Sequence, residues 1–167
     1  SPAEMPPPTS ENRGPAYVGD SVVKGNAQIS IMTVKVAPVT LLDQLTQQTE
    51  KSTDVVMAVQ IRINNLSDTS ALDYASWAGQ PKGYKRDFGE VIDQDNNGYQ
   101  RRMYGENTIP VGRLTNTSIA PGTAATDILL FKRPPANVQY LDLMLPGENI
   151  GSHDIITFRI TADVIEK

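Results

Sequence analysis

Residues 54–64 (DVVMAVQIRIN) set Met57, Val59, Ile61 and Ile63 at every second position, with Gln60, Arg62 and Asn64 between them. Successive side chains of an extended chain point to opposite faces, so this pattern predicts a strand with one face in a core. A helix would scatter the same four side chains around its axis. A strand of this kind requires partners, and the rest of the chain offers them as short apolar runs punctuated by turn formers.

Residues 29–36 (ISIMTVKV) are β-branched and partly alternating, with Pro38 closing the run. Residues 127–131 (DILLF), 139–145 (QYLDLML) and 154–164 (DIITFRITADV) read as further strands. In the last two, Leu141, Leu143 and Leu145, then Ile156, Phe158, Ile160 and Ala162, share the inward face. Pro121-Gly122 marks a type II turn, because proline presets the first angle and glycine accepts the positive φ that follows. Leu72, Tyr74 and Trp77 predict a strand with a bend. Shorter candidates fall at residues 88–92, 99–104 and 113–115. Residues 40–54 carry Leu41, Leu42 and Leu45 at helical spacing, which predicts a helix of one or two turns or an ordered loop.

Seven to nine short strands with almost no long helix favour two packed antiparallel sheets over an α/β fold, whose crossovers need longer helices. The 167 residues suffice for one such core. Residues 1–18, which include Pro6, Pro7 and Pro8, predict an extended tether. Residues 19–167 then form the folded domain.

The 19 acidic and 15 basic residues are interspersed, for a formal charge of −4. The basic stretches are dipeptides, Lys85-Arg86, Arg101-Arg102 and Lys132-Arg133. None forms a stripe that follows a phosphate backbone, which argues against nucleic acid and against electrostatic docking on an anionic membrane. No run has the length of a membrane span. The absence of cysteine excludes disulfides and thiolate chemistry and tilts the setting towards the exterior of a bacterium. The start at Ser1 leaves room for an upstream anchor or signal.

The runs VVMAVQIRINNLSD, DQDNNGY, IAPGTAATDILLFKRPP and YLDLMLPG, in that order, resemble a family of immunoglobulin-like domains of unknown function found in bacterial and archaeal lipoproteins and other exported proteins. Members have a hydrophobic strand ending in an asparagine-rich turn (here 55–65), an Asp-x-Asp/Asn-Gly loop followed by Tyr (here Asp95 to Tyr99 with Gly98), and a Pro-Gly turn leading to a strand with a central Phe (here Phe131). The polar stretch 40–53 and the segment 79–87 depart from that pattern. The resemblance implies an immunoglobulin-like β-sandwich and an extracytoplasmic setting, and it implies no reaction.

Three sets of residues are candidates for function. Asp93, Asp95 and Asn97 stand at the first, third and fifth positions before Gly98, as oxygen ligands do at the opening of a calcium loop. The twelfth position is Tyr104 rather than glutamate, and the competing reading is a tight turn capped by Asp and Asn side chains. Aromatic and basic residues cluster in the middle third. Tyr84, Lys85, Arg86, Tyr99, Arg101 and Tyr104 would form a carbohydrate or protein-binding surface if exposed together. The competing reading places Trp77, Phe88 and at least one tyrosine in the core. His153, the sole histidine, lacks a nucleophile elbow or partner ligands and reads as a turn residue. The sequence therefore points to a non-catalytic extracytoplasmic domain for protein interaction or scaffolding, with no cofactor. A calcium- or carbohydrate-binding module built on the middle loops is the alternative.

Overall fold

The computed structural model describes residues 14–79 and 87–167. Its strands are β1 (Ala16–Tyr17), β2 (Ser21–Lys24), β3 (Ala27–Ala37), β4 (Thr40–Asp43), β5 (Thr49–Lys51), β6 (Val56–Asn65), β7 (Leu72–Tyr74), β8 (Glu90–Asp93), β9 (Gly98–Tyr99), β10 (Thr108–Pro110), β11 (Thr117–Ile119), β12 (Ala124–Lys132), β13 (Tyr140–Pro146), β14 (Ile155–Thr161) and β15 (Ile165–Glu166). Single 3-10 turns at Gly147–Ile150 and Ala162–Val164 follow β13 and β14.

The chain is a β-sandwich. One sheet runs in the order β1-β14-β13-β8-β9, and the other in the order β12-β6-β3-β15, with β2 paired to the first half of β3. The apolar faces of the two sheets meet. Ile29, Val34, Val59, Ile61, Ile63, Leu129 and Phe131 from one side pack in a single cluster with Val91, Leu141, Leu143, Leu145, Phe158 and Ile160 from the other. The alternation read at 54–64 holds: Met57, Val59, Ile61 and Ile63 are fully buried and Arg62 is exposed. The small sheets β10-β4-β5 and β11-β7 lie outside the two principal ones.

Several expectations need correction. Residues 40–54 form the hairpin β4–β5 rather than a helix. Its turn is fixed by the Asp43 carboxylate, which accepts the N–H groups of Leu45 and Thr46 at 2.9 and 3.2 Å. Leu45, read as part of a helical stripe, is 76% exposed at the turn. The candidate at 99–104 shortens to Gly98–Tyr99 plus one bridge between Arg101 and Phe131. The candidate at 113–115 is irregular, and strands form on either side of it at Thr108–Pro110 and Thr117–Ile119. Ala162 is exposed, because the strand ends at Thr161 and turns. The sandwich also contains two parallel pairings, β1 with β14 and β15 with β3. Ala16 and Tyr17, expected within the tether, are strand β1, since Ala16 and Val18 pack against the core. Residues 1–13 lie outside the described residues.

Pro121-Gly122 turns as expected. Gly122 has φ of 70°, and the Thr123 N–H donates to the Ala120 carbonyl at 3.1 Å.

Candidate functional site

Asp93 ends β8 and opens the turn into β9, so the hairpin itself sets the spacing of Asp93, Asp95 and Asn97. The Asp93 carboxylate accepts the N–H groups of Asp95 and Asn97 on one oxygen, both at 2.9 Å. Its other oxygen accepts the Asn97 side-chain amide at 3.1 Å and the Tyr99 hydroxyl at 2.8 Å. Asn96 completes the turn with φ of 63°. Burial alone would raise the Asp93 pKa, but these donors together outweigh it and hold the carboxyl down at about 2. The Tyr99 hydroxyl is pushed up to about 12, by burial first and then by its bond to Asp93. The turn-capping arrangement is therefore complete without an ion. An ion on Asp93 would have to displace donors already in place.

A second carboxylate is buried outright. Asp127 in β12 is 1% exposed. It accepts the hydroxyls of Tyr74 and Ser76, each at 2.6 Å, and the N–H groups of Leu114 and Ile128 at 2.8 and 2.9 Å. Burial, followed by the neighbouring Asp127 charge, raises the Tyr74 pKa far above that of an ordinary phenol. The same segment is tied to the end of β13. Trp77 Nε1 donates to the Pro146 carbonyl at 2.7 Å, and the Asn149 amide donates to the carbonyls of Ala75 and Asp87 at 2.8 and 2.7 Å. Trp77 and Tyr74 are core residues, with ring centroids 5.2 Å apart at 65°. Composition alone did not single out Asp127 or Asn149. Their only sequence signal is polarity inside or beside an apolar run.

Among the described residues, the middle aromatic and basic side chains fall into separate clusters. Phe88 is half-buried, with the Arg101 guanidinium 3.9 Å above its ring. Arg101 Nη1 donates to the Ala78 carbonyl at 2.9 Å. The Tyr104 hydroxyl instead donates to Asp54 at 3.0 Å, and Arg102 Nε binds the same carboxylate at 2.8 Å. Tyr99 belongs to the Asp93 turn. Tyr84, Lys85 and Arg86 lie outside the described residues. His153 sits with Gly151 and Ser152 in the turn before β14.

An exposed apolar surface lies elsewhere, at the edge where β1 of one sheet meets β2 of the other. The two strands are consecutive, and the turn between them is held by the Asp20 carboxylate, which accepts the Tyr17 N–H at 2.9 Å. A groove of about 910 Å³ opens there between β1, β2 and β14. Tyr17, Val23 and Ile155 line it and are 46%, 49% and 70% exposed. Its polar rim includes Arg159, whose guanidinium forms two bonds to Asp142 at 2.9 and 3.0 Å.

No family model matches the chain. No curated protein matches it in sequence. Solved structures do match. The yjhA protein from Bacillus subtilis superposes with a TM-score of 0.57 at 9% identity, covering 87% of this chain and 99% of that one. A "putative lipoprotein (ycdA)" from Bacillus subtilis subsp. subtilis str. 168 gives 0.52 at 18% identity. It covers 86% of this chain, which spans 38% of that one. An uncharacterized β-sandwich protein from Clostridium difficile 630 gives 0.49 at 11% identity, over 93% of this chain and 99% of that one. The likeness is one of fold. Among the described residues, no helix is long and apolar enough to cross a membrane.

Proposed function

We infer that this chain is a non-catalytic extracytoplasmic domain that engages a protein partner along its β1–β2 edge. The observation that carries the reading is the groove there. Three large apolar side chains, Tyr17, Val23 and Ile155, are exposed together on one groove between the edges of two sheets. Edge strands present unpaired backbone groups, and apolar side chains beside them favour addition of an extended segment from another protein.

The polar clusters support the same reading. A general base or nucleophile needs an oxygen aimed at substrate. Asp93, Asp127 and Asp54 each direct theirs to donors of the protein itself. The calcium- or carbohydrate-binding alternative is less favoured, because the Asp93 donors are internal and the described aromatic rings are divided among separate clusters. The extracytoplasmic setting draws its support from the cysteine-free sequence and from the fold shared with ycdA, whose structure is described as that of a "putative lipoprotein".

The test is site-specific photocrosslinking in the cells that make the protein, with the reactive amino acid at Ile155 and, as control, at Leu45. Both positions are well exposed, and only Ile155 lies on the groove. A discrete protein adduct at position 155 and none at position 45 is the expected result. Equal labelling at both, or none at either, would overturn the reading.

A further inference from the structure

The basic dipeptides Arg101-Arg102 and Lys132-Arg133 are distant in sequence and adjacent in space. The Arg102 N–H donates to the Leu130 carbonyl and the Lys132 N–H to the Gln100 carbonyl, both at 2.8 Å, on either side of the Arg101–Phe131 bridge. The segment leaving β9 thereby crosses from one sheet to the edge of the other. All four basic residues, with Asp54 and Val56 among their neighbours, line a groove of about 510 Å³ beside the end of β12.

Charge in this groove runs against that of the molecule. The chain carries a formal −4, whereas the groove sets four cations against one carboxylate. The cations differ in what they can do. The Arg101 guanidinium turns away onto Ala78 and Phe88, so it contributes charge rather than contact. Arg102 is held in place by Asp54 and by stacking 4.2 Å over the Tyr104 ring, while its side chain stays 40% exposed. Lys132 and Arg133 are exposed, and neither forms an ion pair with an acid among the described residues.

We propose that this groove binds a short acidic peptide segment through Arg102, Lys132 and Arg133. The site already shows the contact it favours, since the carboxylate of Asp54 is gripped by the Arg102 guanidinium and the Tyr104 hydroxyl together. A short segment fits better than a long polyanion, because the basic surface is confined to one groove on an acidic molecule. The groove lies at the β9–β12 edge of the sandwich, opposite the β1–β2 edge, and its occupancy is independent of the partner proposed there.

Calorimetric titration of the whole chain with capped tetraglutamate, capped tetraglutamine and tripolyphosphate tests this. Tetraglutamate is expected to bind saturably with a Kd tighter than about 1 mM. Added salt should weaken binding, and tetraglutamine should show none. The double variant Lys132→Glu/Arg133→Glu should lose about tenfold or more in affinity. Arg62→Glu, an exposed charge reversal farther along β6, should leave it unchanged. Should the double variant melt below the working temperature, Lys132→Gln replaces it, with a smaller loss expected. Absence of saturable tetraglutamate binding, or indifference to the Lys132 and Arg133 changes, would overturn the proposal. Tighter binding of tripolyphosphate than of tetraglutamate would overturn the peptide assignment in favour of a phosphate ligand.

Discussion

Asp93 shows how one residue type in one pattern serves two chemistries. Its spacing from Asp95 and Asn97 is what a metal loop and a capped hairpin have in common, and only the donors around it tell them apart. Those donors are local, so the turn was legible in the sequence even where its purpose was not. The hydroxyl partners of Asp127, Tyr74 and Ser76, by contrast, come from a segment far along the chain, and no local pattern announces them. The Asp93 pKa carries a prediction. It lies near 2 in the folded chain against an ordinary 3.8, so the carboxylate stabilises the fold fully above about pH 4. That contribution is lost as pH falls through 2. Asp93→Asn removes the charge at every pH, so its thermal stability deficit should be largest near neutrality and should shrink between pH 4 and 2. Melts across that range check this, and a deficit that stays constant would show that the loop donors do not depend on the charge.

At the scale of elements, alternation was a sound guide where the ladder is regular and a poor one where it is not. In β6 every second residue faces the core without interruption. In β3, Ala27, Ile29 and Ile31 face inward, then Val34 does, because a bulge at Met32 offsets the register between Ile31 and Thr33. That explains why 29–36 only partly alternates. The hairpin β4–β5 was missed for another reason: its three leucines suit helical spacing, but the Asp43 cap and strand pairing with β10 decide the outcome. The bulge makes an unusual deletion tolerable. Removing Met32 leaves Ile31 paired with Ile61 and brings Thr33, already opposite Gln60, into regular register, with all inward residues still inward. Its cost is expected to stay within about 2 kcal/mol, from lost strand twist and a strained neighbour. Removing Gln60 from β6 instead turns either Met57 and Val59 or Ile61 and Ile63 to the wrong face. At about 1.5–3 kcal/mol for each buried side chain, that deletion should cost more than about 3 kcal/mol. Urea unfolding of the two deletion variants measures the difference, and equal losses would mean that Met32 has a packing role beyond the bulge.

The whole molecule is asymmetric in a way the sequence could not disclose, because strand order depends on contacts between its two ends. β1 pairs with β14 and β15 with β3, so the first and last described strands join the sandwich by short parallel ladders. The segment leaving β9 bridges to β12 and joins the sheets at one edge, while the edge between β1 and β2 remains a groove. Between them lies β6, paired along its length to β3 and β12. Local opening should follow this plan, since strands with few buried contacts open at low free energy while central ones wait for global unfolding. Native-state hydrogen exchange is therefore expected to protect the β6 amides to the full unfolding free energy and to release those of β1 first, with β14 between the two. A partner bound along the β1–β2 edge should slow exchange in β1 selectively. If β1 in the isolated chain were protected as strongly as β6, the edge would belong to the cooperative core. Partner binding would then have little local order left to add there, and the proposed docking edge would lose its physical basis.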